Sequence, residues 1–136
     1  MIAVVDTSVL VDHLRGVGAA FEALRELQEI RVSALTVAEL HQIAAQVTEA
    51  AADGRSAEAV VRDLLEGCTV VPVDAELAAL AGRIATGTGL PSWDAIVLAT
   101  ARRGGVRLLA RHVGYGVDAA EVVVPYDPGE VRPGPV

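Results

Sequence analysis

Hydrophobic residues along this chain follow two rhythms. Short β-branched runs alternate with longer stretches in which apolar side chains recur every three or four positions, the pattern of strands alternating with amphipathic helices. The first run, residues 2–5, reads Ile-Ala-Val-Val and is broken at once by Asp6, Thr7 and Ser8. It predicts a buried strand that delivers a carboxylate to a sheet edge. Residues 9–14 predict a helix that ends at Arg15-Gly16. Residues 19–29 predict a second helix, with Phe21, Leu24, Leu27 and Gln28 at helical spacing and Glu22, Arg25, Glu26 and Glu29 opposite. Residues 30–33 predict the second strand, and a long helix opens at residue 34. Thr36 and Glu39 have the spacing of a capping box. The rival reading sets Glu39 one turn into a helix that follows a strand, directed to the same sheet edge as Asp6.

Polar and small residues over 48–56 predict a turn, after which Ser56 caps a helix running to about Glu66. Residues 69–73 predict a third strand, at a sheet edge because Pro72 lacks a ladder donor. Asp74 is a natural cap for the helix holding Leu77, Leu80, Ala81 and Ile84. Residues 87–92 read as a loop with Ser92 capping a helix over 93–103. Asp94 falls in that helix's first turn and Arg102 and Arg103 in its last, where the macrodipole favours each charge. Gly104-Gly105 stops it, and residues 106–109 and 121–124 predict two more strands. From Pro125 onward proline and glycine predict an extended or disordered tail, so the expected organisation is one domain over 1–125 and a tail over 126–136.

Strands alternating with helices predict a parallel sheet covered on both faces. Ligands of such sheets collect at the carboxyl ends of the strands. Asp6 follows the first strand, Glu39 the second and His112 the fourth, and Asp94 stands at a helix start. Acids gathered at one edge repel one another unless a cation neutralises them, and a hard divalent ion with oxygen ligands does so most simply. Each acid also has a plainer role, Asp6 or Thr7 as a helix cap and Asp94 as a dipole partner.

Charge and composition change this picture in a few places. The chain of 136 residues carries a formal net charge of −7 and contains no lysine, so its fixed cations are all arginines. An acidic chain lacks the basic face of a general nucleic-acid binder and suits a bound divalent metal or a basic partner. The missing lysine excludes response-regulator receivers and haloacid-dehalogenase-like phosphatases. The missing Gly-x-Gly-x-x-Gly after the first strand excludes dinucleotide binding. Cys68 is the lone cysteine, which excludes an internal disulfide or a thiolate metal cluster. No apolar run approaches the roughly 20 residues of a membrane span, and the start of the chain lacks a signal-peptide pattern. A cytoplasmic location without membrane contact is therefore expected.

Three motifs in this order resemble the PIN-domain ribonucleases of the VapC toxin family: Val5-Asp6-Thr7-Ser8, Thr36-Val37-Ala38-Glu39-Leu40, and Ser92-Trp93-Asp94-Ala95-Ile96-Val97-Leu98-Ala99-Thr100-Ala101. The resemblance extends from about Ile2 to Val124. It implies a three-layer α/β/α sandwich with a five-stranded parallel sheet and Mg²⁺- or Mn²⁺-dependent endoribonuclease activity on RNA. It also implies a role as toxin of a type II toxin–antitoxin module, a cognate VapB-like antitoxin and a homodimer. On this resemblance Asp6, Glu39 and Asp94 match the family's first three acids, as catalytic residues and metal ligands, with Thr7 or Ser8 orienting a carboxylate. Where the family typically places a further aspartate after the fourth strand, this chain reads Ala110-Arg111-His112-Val113-Gly114-Tyr115. His112 stands in the acid's place, as ligand, substrate contact or space filler; Asp118, six residues on, is a disfavoured alternative acid, and Arg111 a phosphate contact or a surface arginine. His13 and His41 match nothing in the pattern. The missing acid keeps a second reading open, a catalytically weakened PIN-fold binding or regulatory module.

Overall fold

The computed structural model describes residues 1–111 and 120–127. Its strands are β1 (Ile2–Val5), β2 (Glu29–Ser33), β3 (Thr69–Val71), β4 (Arg107–Leu109) and β5 (Val122–Val123). Its helices are α1 (Thr7–Leu14), α2 (Gly18–Arg25), α3 (Ala34–Ala45), α4 (Ala57–Glu66), α5 (Ala75–Thr88) and α6 (Ser92–Gly104). The strands form one five-stranded sheet in the order β3-β2-β1-β4-β5. Every neighbouring pair is parallel, with Ala3 opposite Ile30 and Arg107 on either side of the central strand. The expected fold class holds, and Pro72 does follow an edge strand.

Alternation along β1 builds the layers. Ala3 and Val5 point to one face and pack with Val9, Leu10, Leu24, Leu40 and Val61 from α1 to α4. Val4 points to the other face, against Leu77, Ile84, Val97 and Leu98 from α5 and α6. Leu109 joins the first cluster while Leu108 and Ala110 join the second, so β4 repeats the alternation. Ala3, Val4 and Val5 have no exposed surface. Burying each valine or leucine of this kind stabilises the fold by about 1.5–3 kcal/mol. Small side chains on the inner faces let both helical layers close on the sheet.

The structure corrects several sequence-based boundaries, each for a local reason. α2 ends at Arg25 rather than at residue 29, because Glu29 is drawn into β2 opposite Ile2. α5 continues through Thr88, whose hydroxyl donates to the Ile84 carbonyl, and stops only at Gly89 with its positive φ of 74°. Ser92 is not a cap. The capping position is Pro91, without a side-chain bond, and Ser92 is the first helical residue. β3 is three residues long and β5 two, shorter than their apolar runs. Val106 drops out of β4 because its N–H closes the end of α6 on the Ala101 carbonyl at 3.1 Å.

β1 is the point where the sheet changes direction. The chain first builds outward through β2 and β3, then crosses to β4 and β5 on the other side. The crevice of such a sheet opens at the carboxyl ends of the two strands flanking the switch, here β1 and β4. α6 leads into β4 and runs antiparallel to the strands, so its first turn lies at this same end. It packs on β1 and touches α3.

Candidate active site at the carboxyl edge of β1 and β4

Asp6 ends β1 and caps α1, with φ −73° and ψ 153°. Its main-chain N–H donates to the Leu109 carbonyl at 2.8 Å, which fixes it against β4. Its carboxylate Oδ2 accepts from the Ser8 hydroxyl at 2.6 Å and from the Ser8 N–H at 3.4 Å. Ser8 Oγ in turn accepts the Arg111 main-chain N–H at 3.1 Å. A serine hydroxyl has one proton to give, and here it goes to Asp6 while a lone pair receives Arg111. The first turn of α1 is thereby tied to the end of β4.

Thr7 makes the second link. Its hydroxyl donates to Glu39 Oε1 at 2.9 Å, bridging residues 32 apart in sequence. Glu39 reaches that position because α3 starts early: Ser33, wholly buried, is its cap and accepts from the Leu35 N–H at 3.1 Å. The capping-box expectation for Thr36 and Glu39 is thus overturned. Ser33 already serves the helix end, and Glu39 turns to Thr7 on the neighbouring helix. Thr36, one turn before Glu39, keeps a buried hydroxyl with no partner among the described residues.

Asp94 is half-buried in the first turn of α6, at the same sheet end. The described residues bring Asp6, Thr7, Ser8 and Glu39 into one bonded set, with Arg111 entering through its main chain. His112 and Asp118 lie outside the described residues. Of the two unmatched histidines, His41 bonds Glu58 at 2.8 Å between α3 and α4. His13 stacks on Phe21, and burial lowers its pKa below the usual value. Cys68 donates weakly to the Leu64 carbonyl at 3.4 Å, and burial raises its pKa. Neither histidine nor the thiol belongs to this set.

The sequence reading missed two residues beside it. Asp12 of α1 is wholly buried, and its Oδ1 accepts from Arg111 Nη1 at 3.1 Å while its Oδ2 accepts from the Tyr126 hydroxyl at 2.8 Å. Burial and the Asp12 carboxylate hold the Tyr126 phenol above its usual pKa. The available signal was an acid three residues after Val9, on the core face of α1, where a carboxylate requires a partner.

The donors suit a hard cation, being carboxylate and hydroxyl oxygens throughout. Among the described residues no three histidine, cysteine, aspartate or glutamate side chains converge to hold a metal. Mg²⁺ commonly takes one or two carboxylates, with water and substrate phosphate completing its shell, and the oxygen chemistry of Asp6 and Glu39 is of that kind.

A family model for the PIN domain matches residues 3–112. No functionally curated protein matches the chain. Among solved structures, a toxin–antitoxin complex from Klebsiella pneumoniae superposes with a TM-score of 0.81 at 25% identity, over 92% of this chain and 98% of that one. FitAcB from Neisseria gonorrhoeae gives 0.71 at 25% identity, with the same coverage of 92% and 98%. VapC20 of Mycobacterium tuberculosis, a sarcin-ricin loop cleaving toxin, shares the fold at TM-score 0.68 and 19% identity, over 91% of this chain and 98% of that one. The family match begins within the central strand and runs past the end of β4, and on that ground the chain belongs to the PIN domain family.

Proposed function

We propose that this protein is a divalent-metal-dependent endoribonuclease acting as the toxin of a type II toxin–antitoxin pair. The observation that carries the reading is the pair of hydroxyl clamps, Ser8 on Asp6 and Thr7 on Glu39, which orient two carboxylates at the sheet's switch point. Each carboxylate accepts from its hydroxyl through one oxygen, and an ionised carboxylate can accept from several partners at once. Asp6 and Glu39 would hold Mg²⁺ or Mn²⁺ as the primary pair; among the described residues the three acids Asp6, Glu39 and Asp94 do not already converge, so Asp94 would be drawn in by the bound ion, with His112 as the further candidate ligand. When bound, such an ion supplies Lewis acidity toward a scissile phosphate and lowers the pKa of an attacking water. The chain's own part is orientation. Thr7 and Ser8 hold the carboxylates in single directions, and the β1–β4 crevice admits the RNA backbone.

A toxin needs a partner, and two features support one. The chain's acidity, concentrated in part at this edge, suits an arginine or lysine of an antitoxin that replaces the metal's charge. On the flank, His13, Phe21, Leu24, Ile30 and Leu64 line an apolar hollow in which Phe21 is half exposed, a surface suited to an amphipathic antitoxin helix. The structural likeness to a toxin–antitoxin complex supports the same assignment. We expect the protein to act as a homodimer in the cytoplasm; among the described residues no helix is long and apolar enough to cross a membrane.

His112 in place of an aspartate favours a second reading, a PIN module that binds without cutting. Cleavage of RNA by chelator-stripped protein, with Mg²⁺ or Mn²⁺ added back, separates the two. The nuclease reading predicts products only with metal, lost in Glu39→Gln and Asp94→Asn. Metal uptake without any cleavage would establish the binding module instead. Imidazole is softer than carboxylate, so the wild type should prefer Mn²⁺, and His112→Asp should raise cleavage in Mg²⁺.

A further inference from the structure

Asp12 is a charged side chain that the proposed chemistry does not use. It lies six residues beyond Asp6 on α1, has no exposed surface, and has both carboxylate oxygens engaged, by Arg111 and by Tyr126. Asp12 is buried but the side chain of its partner Arg111 is 36% exposed, and an ion pair with a buried member is weak evidence of stabilisation, since well-packed apolar residues often serve a fold as well or better. Its placement gives it another use. Arg111 receives Asp12 through its side chain and meets Ser8 through its main chain, and Ser8 directs its proton to Asp6. A continuous path therefore runs from Tyr126 and Asp12 through Arg111 and Ser8 to the Asp6 carboxylate.

We propose that Asp12, steadied by Tyr126, is a positioning residue that orients Asp6 by holding the end of β4 against Ser8. This deepens the metal-nuclease reading and rests on it for its consequence at the metal. Tyr126 follows β5, so the carboxyl-terminal end of the described chain fastens the strand end beside the site. Asp12 itself touches neither metal nor substrate. Partners that orient a metal-binding carboxylate typically change metal affinity by about 10-fold or more when removed.

The test is a double-variant cycle in the full chain with two readouts, the Mn²⁺ dissociation constant by calorimetry and amide hydrogen exchange at Arg111. Asp12→Asn should weaken Mn²⁺ binding by about 10-fold and speed exchange of the Arg111 amide. Ser8→Ala should do both as well, and the double variant should be no worse than the worse single, because both changes cut one path. Tyr126→Phe removes one anchor and should give a smaller effect of the same sign, absorbed in the Ser8→Ala background. It carries the test if Asp12→Asn does not fold. Unchanged Mn²⁺ affinity and Arg111 exchange in a folded Asp12→Asn or Tyr126→Phe protein would overturn the proposal, as would full additivity with Ser8→Ala. A wild type that takes up no Mn²⁺ overturns the metal reading itself. The Arg111 exchange rates then decide the coupling alone, faster exchange supporting it and unchanged exchange refuting it.

Discussion

Two adjacent hydroxyls determine what the acids at this sheet edge can do. Asp6 caps α1 and is the proposed metal carboxylate of the crevice, so its substitutions separate the two roles. Asparagine caps as well as aspartate but lacks the charge. Asp6→Asn should therefore fold normally and lose activity, whereas Asp6→Ala should also lose about 1 kcal/mol of stability with the cap. Urea denaturation alongside RNA cleavage distinguishes them, and equal stability of the two variants would refute the dual role. His13 provides a pH prediction. Burial against Phe21 depresses its pKa, so the folded state disfavours the protonated ring. Its contribution is intact above the unfolded value of about 6.5 and is lost as pH falls toward and through the lowered folded value. Stability should decline over that interval, and His13→Gln should flatten the decline measured by thermal melts at successive pH values.

Elements are where the sequence was most and least legible. The apolar run ending at Asp6 predicts β1 and the acid that follows it correctly, because a short continuous β-branched run with an abrupt polar stop suits a strand buried on both faces. The caps at Ser56 and Asp74 were equally legible, each accepting from an N–H three residues on. Glu39 was ambiguous, since Thr36-x-x-Glu39 satisfies the local capping rule as well as the site geometry. Ser33, belonging to the strand by sequence, took the cap and freed Glu39 for Thr7. That choice depends on where α1 packs against α3, a contact no local spacing encodes. Ser33→Ala should cost about 1 kcal/mol and loosen Glu39; full stability in urea would show that another group caps α3. Leu98, one turn beyond Asp94 and wholly buried, anchors α6 on the sheet. Leu98→Ala should lose about 2–5 kcal/mol, and a loss below that range in chemical denaturation would mean that Asp94, the proposed third acid, rides on a loosely held helix.

At the scale of the whole molecule, strand order does the assembling. Asp6, Glu39 and Arg111 are scattered over more than a hundred residues, and parallel pairing around β1 brings their elements to one edge. Strand–helix alternation made that edge predictable, whereas the link from buried Asp12 to Arg111 and Tyr126 was not, because it joins α1 to segments after β4 and β5 that share no periodic pattern. The same edge is where an antitoxin's cation should dock. Partner binding should weaken as salt rises, and should lose that dependence in the Asp6→Asn, Asp94→Asn double variant; equal affinity and equal salt dependence for both proteins would place the antitoxin elsewhere. The most direct measurement of the central claim is calorimetric titration of the chelator-stripped protein with Mn²⁺, for the wild type and for Asp6→Asn, Glu39→Gln and Asp94→Asn. The wild type should bind saturably, with binding abolished by Asp6→Asn and weakened by each of the others with the fold intact. Binding that is absent in the wild type, or unchanged in all three variants, would contradict the claim.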